Sequence, residues 1–539
     1  MKKATRKRAS TPAYISPKQL TLDAFESPFS QQLKPDNRWV VLARLIPWDE
    51  ICGTYLKHVG ISSTGRPPLN PRVVLGSLII KHICNLDVRE TVDQISENKY
   101  MQYFLCYSSF TTDAPFDASL FVEFRKKLGH NEINAINEKI VSLKTHLEAS
   151  KKDTKSSDPT EPLDKKNDET GPKNRGRVIF DATACPQDIA YPTDLTLLSN
   201  AREKSEQLID TLYNPAVHTN KPRTYRKVAR KRFLQTAQKK NKTHKVIRHA
   251  VGSQLGFLKR NLNSINKLLD AYSSIPLEAR DYKYLLVINT LYQQQKQMHS
   301  LKKHSIEDRI VSIHQPHVRP IVRGKSQAKT EFGAKIHLSL IDGISFLDEI
   351  SWDAFNEGSH MIDYIEKYKV RFGCYPKEVL ADKIYCTRFN RSGLKEKGIK
   401  LLAKPLGRPS ALQNHVSPGE RNPIEGKFGQ AKTGYGLNRI KARLKPTSES
   451  WIASIILVLN LVKLAGVALF CLIIRITNGF TLKAIYKLVN RFADEVRQKL
   501  IMGISLLNPN YVTARFSFSA DPTYIERAKA TRSETYGFA

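Results

Sequence analysis

The apolar run from Trp451 to Ile476, WIASIILVLNLVKLAGVALFCLIIRI, puts the tightest limit on what this chain can fold into. A run this long and apolar must leave water, either into a bilayer or into a protein core. Lys463 sits at its middle, with Asn460 and Ser454 nearby. A lone lysine in mid-bilayer is costly. The run is therefore expected to be a buried core helix rather than a membrane span, and it needs a large apolar surface to pack against. A chain of 539 residues can provide one, and its length suggests two or three structural units.

Charge says more about partners than about fold. Lys and Arg outnumber Asp and Glu by 86 to 51, a net +35. The natural partner of such a surface is a polyanion: DNA, RNA or an anionic membrane surface. The excess is concentrated. Between Lys221 and Arg260 there are fourteen Lys or Arg and no Asp or Glu. Such a stretch repels itself unless a polyanion lies against it. Lys221, Arg223, Arg226, Lys227, Arg230, Lys231 and Arg232 are its densest part and the candidate DNA contacts. The seven cysteines are scattered and none forms a C-x-x-C pair, which argues against a disulfide framework or a zinc site. The basic start, MKKATRKRAS, is followed by no apolar stretch, so no secretory signal is read and a cytoplasmic location is expected.

Residues 1–20 read as a basic arm. Residues 21–149 read as a helical, DNA-binding domain, with apolar residues at helical spacing through VVLGSLIIKHIC and through Ile133, Ile136, Ile140 and Leu143. Asp117 is the expected N-cap of a helix over 120–128. Residues 150–176 contain almost nothing to bury and read as a polar linker. A strand follows at Arg177–Asp181. A basic helical stretch at about 195–325 then separates it from the next strands, the hairpin Thr330–Leu340 and Ser345–Trp352 turning at Gly343. Glu357 to Arg371 reads as a helix, Glu378–Ala381 and Gly398–Lys404 as strands, and a helix then carries Glu425. This order predicts an α/β domain over 177–476 whose mixed sheet includes an antiparallel hairpin. Residues 477–539 read as a helical region and tail.

Three carboxylates stand out by position. Asp181 follows Val-Ile-Phe at a strand end, Asp382 follows Val-Leu-Ala at another, and Glu425 lies on the helix after the last strand. Two-metal phosphoryl transfer needs acidic ligands that converge on one point, and strand ends and a helix face hold them rigidly. Asp188 and Asp194 are the competing first acids; Asp181 is preferred because it directly ends the apolar strand. Asp342 needs only its hairpin turn as an explanation.

These residues resemble the DDE transposases of bacterial insertion sequences. One subgroup of them, the IS-five-like group, carries Tyr, two residues, Arg, three residues, Glu, six residues, Lys around its third acid. Here Arg421, Glu425 and Lys432 match, while Pro418 stands at the tyrosine position. PFDASLFVEFRKKLG at 115–129 and FDATACPQDIAYPTDLTLL at 180–198 resemble two other segments of that group, and the resemblance covers roughly residues 20–475. It implies an RNase H-like catalytic domain interrupted by the basic helical insertion. It also implies Mg²⁺, with Mn²⁺ as a substitute, held by Asp181, Asp382 and Glu425. The activity implied is strand cleavage and transfer at terminal inverted repeats of double-stranded DNA, in a synaptic homodimer near the nucleoid. Arg421 and Lys432 would flank Glu425 and bind phosphates, or else orient Glu425 as ion-pair partners. Another RNase H-like nuclease, a catalytically inactive DNA-binding descendant of a transposase, and a membrane-associated basic protein are the competing readings.

Overall fold

The computed structural model describes residues 33–59, 69–153, 174–322, 330–403 and 418–477. The expected arm, the greater part of the expected linker and residues 478–539 lie outside the described residues. The described residues up to Ala468 form one compact unit.

Seven described helices precede the sheet: α1 (Arg38–Leu45), α2 (Trp48–Val59), α3 (Pro71–Ile83), α4 (Val88–Glu97), α5 (Lys99–Phe104), α6 (Leu120–Lys127) and α7 (His130–Asp153). Their starts are set locally. Asn37, Asn70, Asp87 and Asn98 each accept backbone N–H groups of the helix they begin. Asp87 and Glu90 complete a reciprocal capping box. Asp117 does not cap α6 as expected. Ser119 holds that position, and the Asp117 carboxylate accepts the Ser119 N–H at 2.8 Å, which shapes the turn before the helix. The helix α7 also runs through the expected boundary at 149 to Asp153. Trp39 and Trp48 pack on Phe104 with ring centroids 5.3 and 5.2 Å apart. The buried Arg72 lies over Trp48 and donates to the Phe104 carbonyl at 2.9 Å.

The sheet has six strands: β1 (Arg177–Pro186), β2 (Arg319–Val322), β3 (Thr330–Ile341), β4 (Ile344–Ser351), β5 (Glu378–Leu380) and β6 (Lys400–Leu402). Its order is β2-β3-β1-β5-β6, with β4 also paired to β3. β1 runs antiparallel to β3 and parallel to β5, and β5 runs parallel to β6. The sheet is mixed, as expected. The hairpin is the expected one: Asp342 and Gly343 turn it with φ of 49° and 78°, the two-residue loop whose twist suits a hairpin. Two elements were not foreseen. The strand β2 is only four residues long and sits inside the stretch expected to be helical. Between β5 and β6 lies α13 (Arg388–Glu396), preceded in chain order by α8 to α12.

Between β1 and β2 the chain forms α8 (Asp194–Leu212), α9 (Arg226–Ala237), α10 (His244–Leu269) and α11 (Ala279–Leu301). Leu198, Leu208, Leu212, Leu258, Ile265, Ile288 and Leu291 fill a core of their own there. The other helices are α12 (Met361–Phe372), α14 (Asn422–Gly434) and α15 (Lys445–Thr477). The first seven helices, the sheet, α12, α14 and α15 share one continuous apolar core.

The helix α15 contains the run that constrained the fold. Among the described residues, one stretch, Lys445–Gly466, is long and apolar enough to cross a membrane, and 72% of its apolar window is buried in the protein. Ile452, Ile455, Leu461 and the polar Asn460 are all fully buried. The Asn460 side chain accepts the Ser345 N–H at 2.8 Å and donates to the Ser345 carbonyl at 2.7 Å and to Asn137 Oδ1 at 2.8 Å. One amide thus ties α15 to β4 and to α7. Replacing Asn460 with Leu orphans those buried partners and should destabilise the protein by roughly 2–4 kcal/mol in urea unfolding. Lys463→Gln on the exposed side of the same helix should leave the midpoint unchanged. Equal stability of Asn460→Leu and wild type would show that the amide is dispensable.

Candidate active site

Register places the two aspartates. The parallel pairing sets Arg177 opposite Glu378 and Ile179 opposite Leu380. The ladder stops there; Asp181 lies two residues further along β1 and Asp382 two residues past the end of β5, and the two carboxylates come close enough to share the Arg421 guanidinium. Val178, Phe180 and Ala182 point to the opposite, buried face of β1, where Phe180 packs on Tyr364 of α12. Asp181 does not end its strand as expected. The pairing with β3 continues through Pro186, so Asp181 lies within β1. Asp382 lies just beyond β5 and caps a short 3-10 turn, accepting the Lys383 N–H at 2.8 Å.

The helix α14 packs against β1 and brings the third acid. Pro423 sits in its first turn and Arg421 is its N-cap residue, outside the helix proper. Ile424, Phe428 and Ala431 form the buried stripe, and Glu425 is exposed in the first turn. Arg421 does not pair with Glu425. Its guanidinium lies between the aspartates, 3.0 Å from Asp382 Oδ1 and 3.6 Å from Asp181 Oδ2. Its Nε is buried with no hydrogen-bond partner among the described residues. Spacing alone gave no sign of this bridge, because it depends on Arg421 falling before the helix.

Burial pushes the Asp181 carboxyl above its ordinary range. The Ala182 amide, which donates to it at 2.8 Å, and the Arg421 guanidinium pull it back, while the charges of Asp382 and Glu425 push it up further. Glu425 is therefore within electrostatic reach of Asp181. It has not closed on the pair: among the described residues, no three His, Cys, Asp or Glu side chains gather closely enough to hold a metal ion. The donor set nevertheless fits a divalent cation in kind. Carboxylates crowd one face, repel each other, and need a positive charge that Arg421 supplies here.

The competing acids are occupied elsewhere. Asp188 pairs with Arg439 at 2.9 Å. Asp194 pairs with Arg309 at 2.7 Å and accepts from Gln295. Asp342 holds its turn. Lys432 is half-buried on the last turn of α14.

Two family models match. One, described as a transposase domain (DUF772), covers residues 27–127; the other, described as a transposase DDE domain, covers 379–462 and so includes Asp382 and Glu425. An uncharacterized protein, ORF8 of the nfe locus of Rhizobium meliloti, is 30% identical over 185 residues, which is 33% of this chain and 76% of that protein. No solved structure matches. This chain belongs to the DDE transposases of bacterial insertion sequences. The family's catalytic domain is RNase H-like, its substrate is DNA, and its members use divalent metal ions.

The basic stretch of the transposase is less uniform than its composition suggested. Lys221 and Arg226 both pair with Asp210, at 2.8 and 3.0 Å. That carboxylate lies outside the charge run, on α8, so a count within the run missed it. Arg223 lies over the Tyr225 ring, and Arg232 over Phe257. Lys227, Arg230 and Lys231 are exposed on α9.

A raised carboxyl value in the folded state disfavours the ionised form there. Asp181 therefore withdraws stability as pH rises through that raised value, and withdraws none below its ordinary value of 3.8. Asp181→Asn should melt at a higher temperature than wild type near neutral pH, and the gap should close on acidification. Thermal melts of both proteins across pH check this. A gap that stays constant with pH would mean that Asp181 carries no such penalty.

Proposed function

We propose that this transposase binds the terminal inverted repeats of its element and cuts and joins DNA strands at a centre made by Asp181, Asp382 and Glu425. The observation that carries this reading is the pair of aspartates, one within β1 and one just past the end of the neighbouring parallel strand β5, that share one guanidinium. The three carboxylates would hold Mg²⁺, or Mn²⁺ in its place, and the ion when bound supplies Lewis-acid activation of the scissile phosphodiester and of the attacking oxygen.

The chain's own residues do the rest. The Ala182 and Lys383 amides hold the Oδ1 atoms of Asp181 and Asp382, and Arg421 answers Asp181 Oδ2 and Asp382 Oδ1. Arg421 neutralises the pair and stands ready to contact a phosphate beside the scissile bond, with Lys432 as a second contact further along α14. In the first step water attacks the phosphorus at the element end and the P–O3′ bond breaks, leaving a 3′-hydroxyl on the element. In the second that hydroxyl attacks a target phosphodiester, one P–O3′ bond forms, and the target strand leaves with its own 3′-hydroxyl. No covalent protein–DNA intermediate is required.

The same reading assigns 21–149 to a DNA-binding domain and 177–476 to the RNase H-like domain. The segment at about 195–325 is then an insertion whose exposed Lys227, Arg230 and Lys231 contact DNA. It joins two element ends in a homodimer, in the bacterial cytoplasm at the nucleoid, and belongs to the subgroup with the Arg-(3)-Glu-(6)-Lys signature.

Asp181→Asn and Glu425→Gln should each reduce nicking of the element's own ends in Mg²⁺ to background while leaving end binding intact. Mg²⁺ should also raise the melting temperature of wild type and not of Asp181→Asn, since a ligand that binds only the folded state stabilises it. Nicking by Asp181→Asn would remove it from the centre.

A further inference from the structure

Away from the three acids, two positive charges are buried without a salt bridge among the described residues: Lys81 donates only to the Leu86 carbonyl, at 3.0 Å, and Arg125 is less well met still. Arg125 on α6 is 4% exposed, and its Nε and Nη2 are buried with no hydrogen-bond partner among the described residues. It lies over the Trp451 ring at 4.9 Å. On the same ring, at 3.8 Å, sits the Nζ of Lys81, itself 1% exposed. Burial, then Arg125 and Lys441, hold the Lys81 amine down to about 7, and burial takes Arg125 down to about 10. Asp87 and Glu90 act on Lys81 in the opposite direction but do not offset the burial, and buried cations with no ion-pair partner are expensive to keep.

These cations back onto an open cavity of about 560 Å³ between α4, α6 and the start of α15. Arg125 and Trp451 form its inner wall, and Arg89, Lys441 and Arg443, all exposed, stand around its rim. The first turns of α4 and α6 also line it, and helix N-termini favour anions. Asp87 and Asp117 line it too, but their carboxylates are bonded to backbone N–H groups at those helix starts. Arg443 and Leu444 also line a second cavity of about 860 Å³, with Arg280, Lys283 and the exposed Tyr191 on its walls. The basic lining thus continues from one cavity into the next, which suits an extended polyanion better than a lone ion.

We propose that the cavity between α4, α6 and α15 is a phosphate-binding site for the backbone of bound DNA, with Arg125 as its buried anchor and Lys441 and Arg443 as its rim. It rests on the reading of this chain as a DNA-binding transposase, but not on the three acids. It places a DNA contact on the first helices and α15, apart from the exposed cations of α9.

The test uses the full chain, a random-sequence DNA duplex and no divalent metal. Fluorescence anisotropy across a salt series gives affinity and salt slope for wild type, Arg125→Met and the double variant Lys441→Gln/Arg443→Gln. Each lost phosphate contact should weaken binding roughly tenfold and reduce the slope of log K against log salt by about 0.9. Arg125→Met should melt no lower than wild type, because it removes an unpaired buried charge. The rim substitutions lie on the surface and keep the test valid if Arg125→Met fails to fold. Wild-type affinity and slope in the rim variant would overturn the proposal. So would a fall in melting temperature of Arg125→Met with binding unchanged, which would make Arg125 a packing residue. Inorganic phosphate at matched ionic strength is the second probe. If it stabilises wild type but not the rim variant while DNA binding is the same in both, the site takes a free anion and the DNA proposal falls. Failure of wild type to bind the duplex at all would sink the broader DNA-binding reading along with this one.

Discussion

The parallel pairing of β1 with β5 is the constraint on which the site depends. Parallel neighbours cannot be joined by a tight turn and need a long crossover, so Asp181 and Asp382 can be far apart in the chain yet adjacent in space. The pairing fixes more than proximity. Because side chains alternate along a strand, a slip of one residue would send one carboxylate to the opposite face, into the apolar packing around Phe180. The antiparallel bonding of β1 to β3 along nearly its whole length holds the register of β1. The strand β5, three residues long, has only to follow it. The two acids are consequently held differently: Asp181 within a strand paired on both sides and largely shielded, Asp382 past a strand end and half-exposed.

Much of this was legible in the sequence, for definable reasons. The helices of the first 150 residues carry strong periodicity and their own caps at Asn37, Asn70, Asp87 and Asn98. The hairpin carries its Asp-Gly turn. The apolar run at 451 declared its burial through Lys463 and Asn460, which a bilayer would not tolerate. What escaped was set by tertiary contact. The extension of β1 past Asp181 depends on β3, which lies far along the chain. The strand β2 is four residues at the edge of β3 and has no pattern of its own. The Asp210 pairs with Lys221 and Arg226 cross from one helix to the approach of another. Spacing placed Arg421 beside Glu425, while Pro423 already favoured a helix start near Asn422 with Arg421 just before it, and that is where the helix starts. What neither showed is that the guanidinium turns to the aspartates.

The four helices between β1 and β2 show how a sheet tolerates so long an excursion. Their core of leucines and isoleucines is closed on itself, so the segment does not depend on the sheet's apolar face for its stability. Where Arg202 is buried in it, Glu206 and Gln254 meet the guanidinium. The charge buried in this segment at Arg202 is paired, while Lys227, Arg230 and Lys231 on its outer face are exposed. A surface built this way can take a partner without putting the fold at risk.

Two electrostatic imbalances of opposite sign remain, and they explain each other. At the carboxylates, negative charge is crowded and only one guanidinium answers it. Around Trp451, Lys81 and Arg125 are buried with no salt bridge among the described residues, though Asp87 and Glu90 lie near enough to favour the Lys81 charge. A protein selected for stability alone would remove both, by replacing an aspartate with asparagine in one place and an arginine with an apolar residue in the other. In the reading proposed above, something outside the chain would complete each, and the two groups are chemically linked. A divalent cation would relieve the carboxylates and a phosphodiester backbone the buried cations, and a metal-dependent reaction on DNA would bring both together. On that proposal the free protein holds both positions ready for charge that arrives with the substrate.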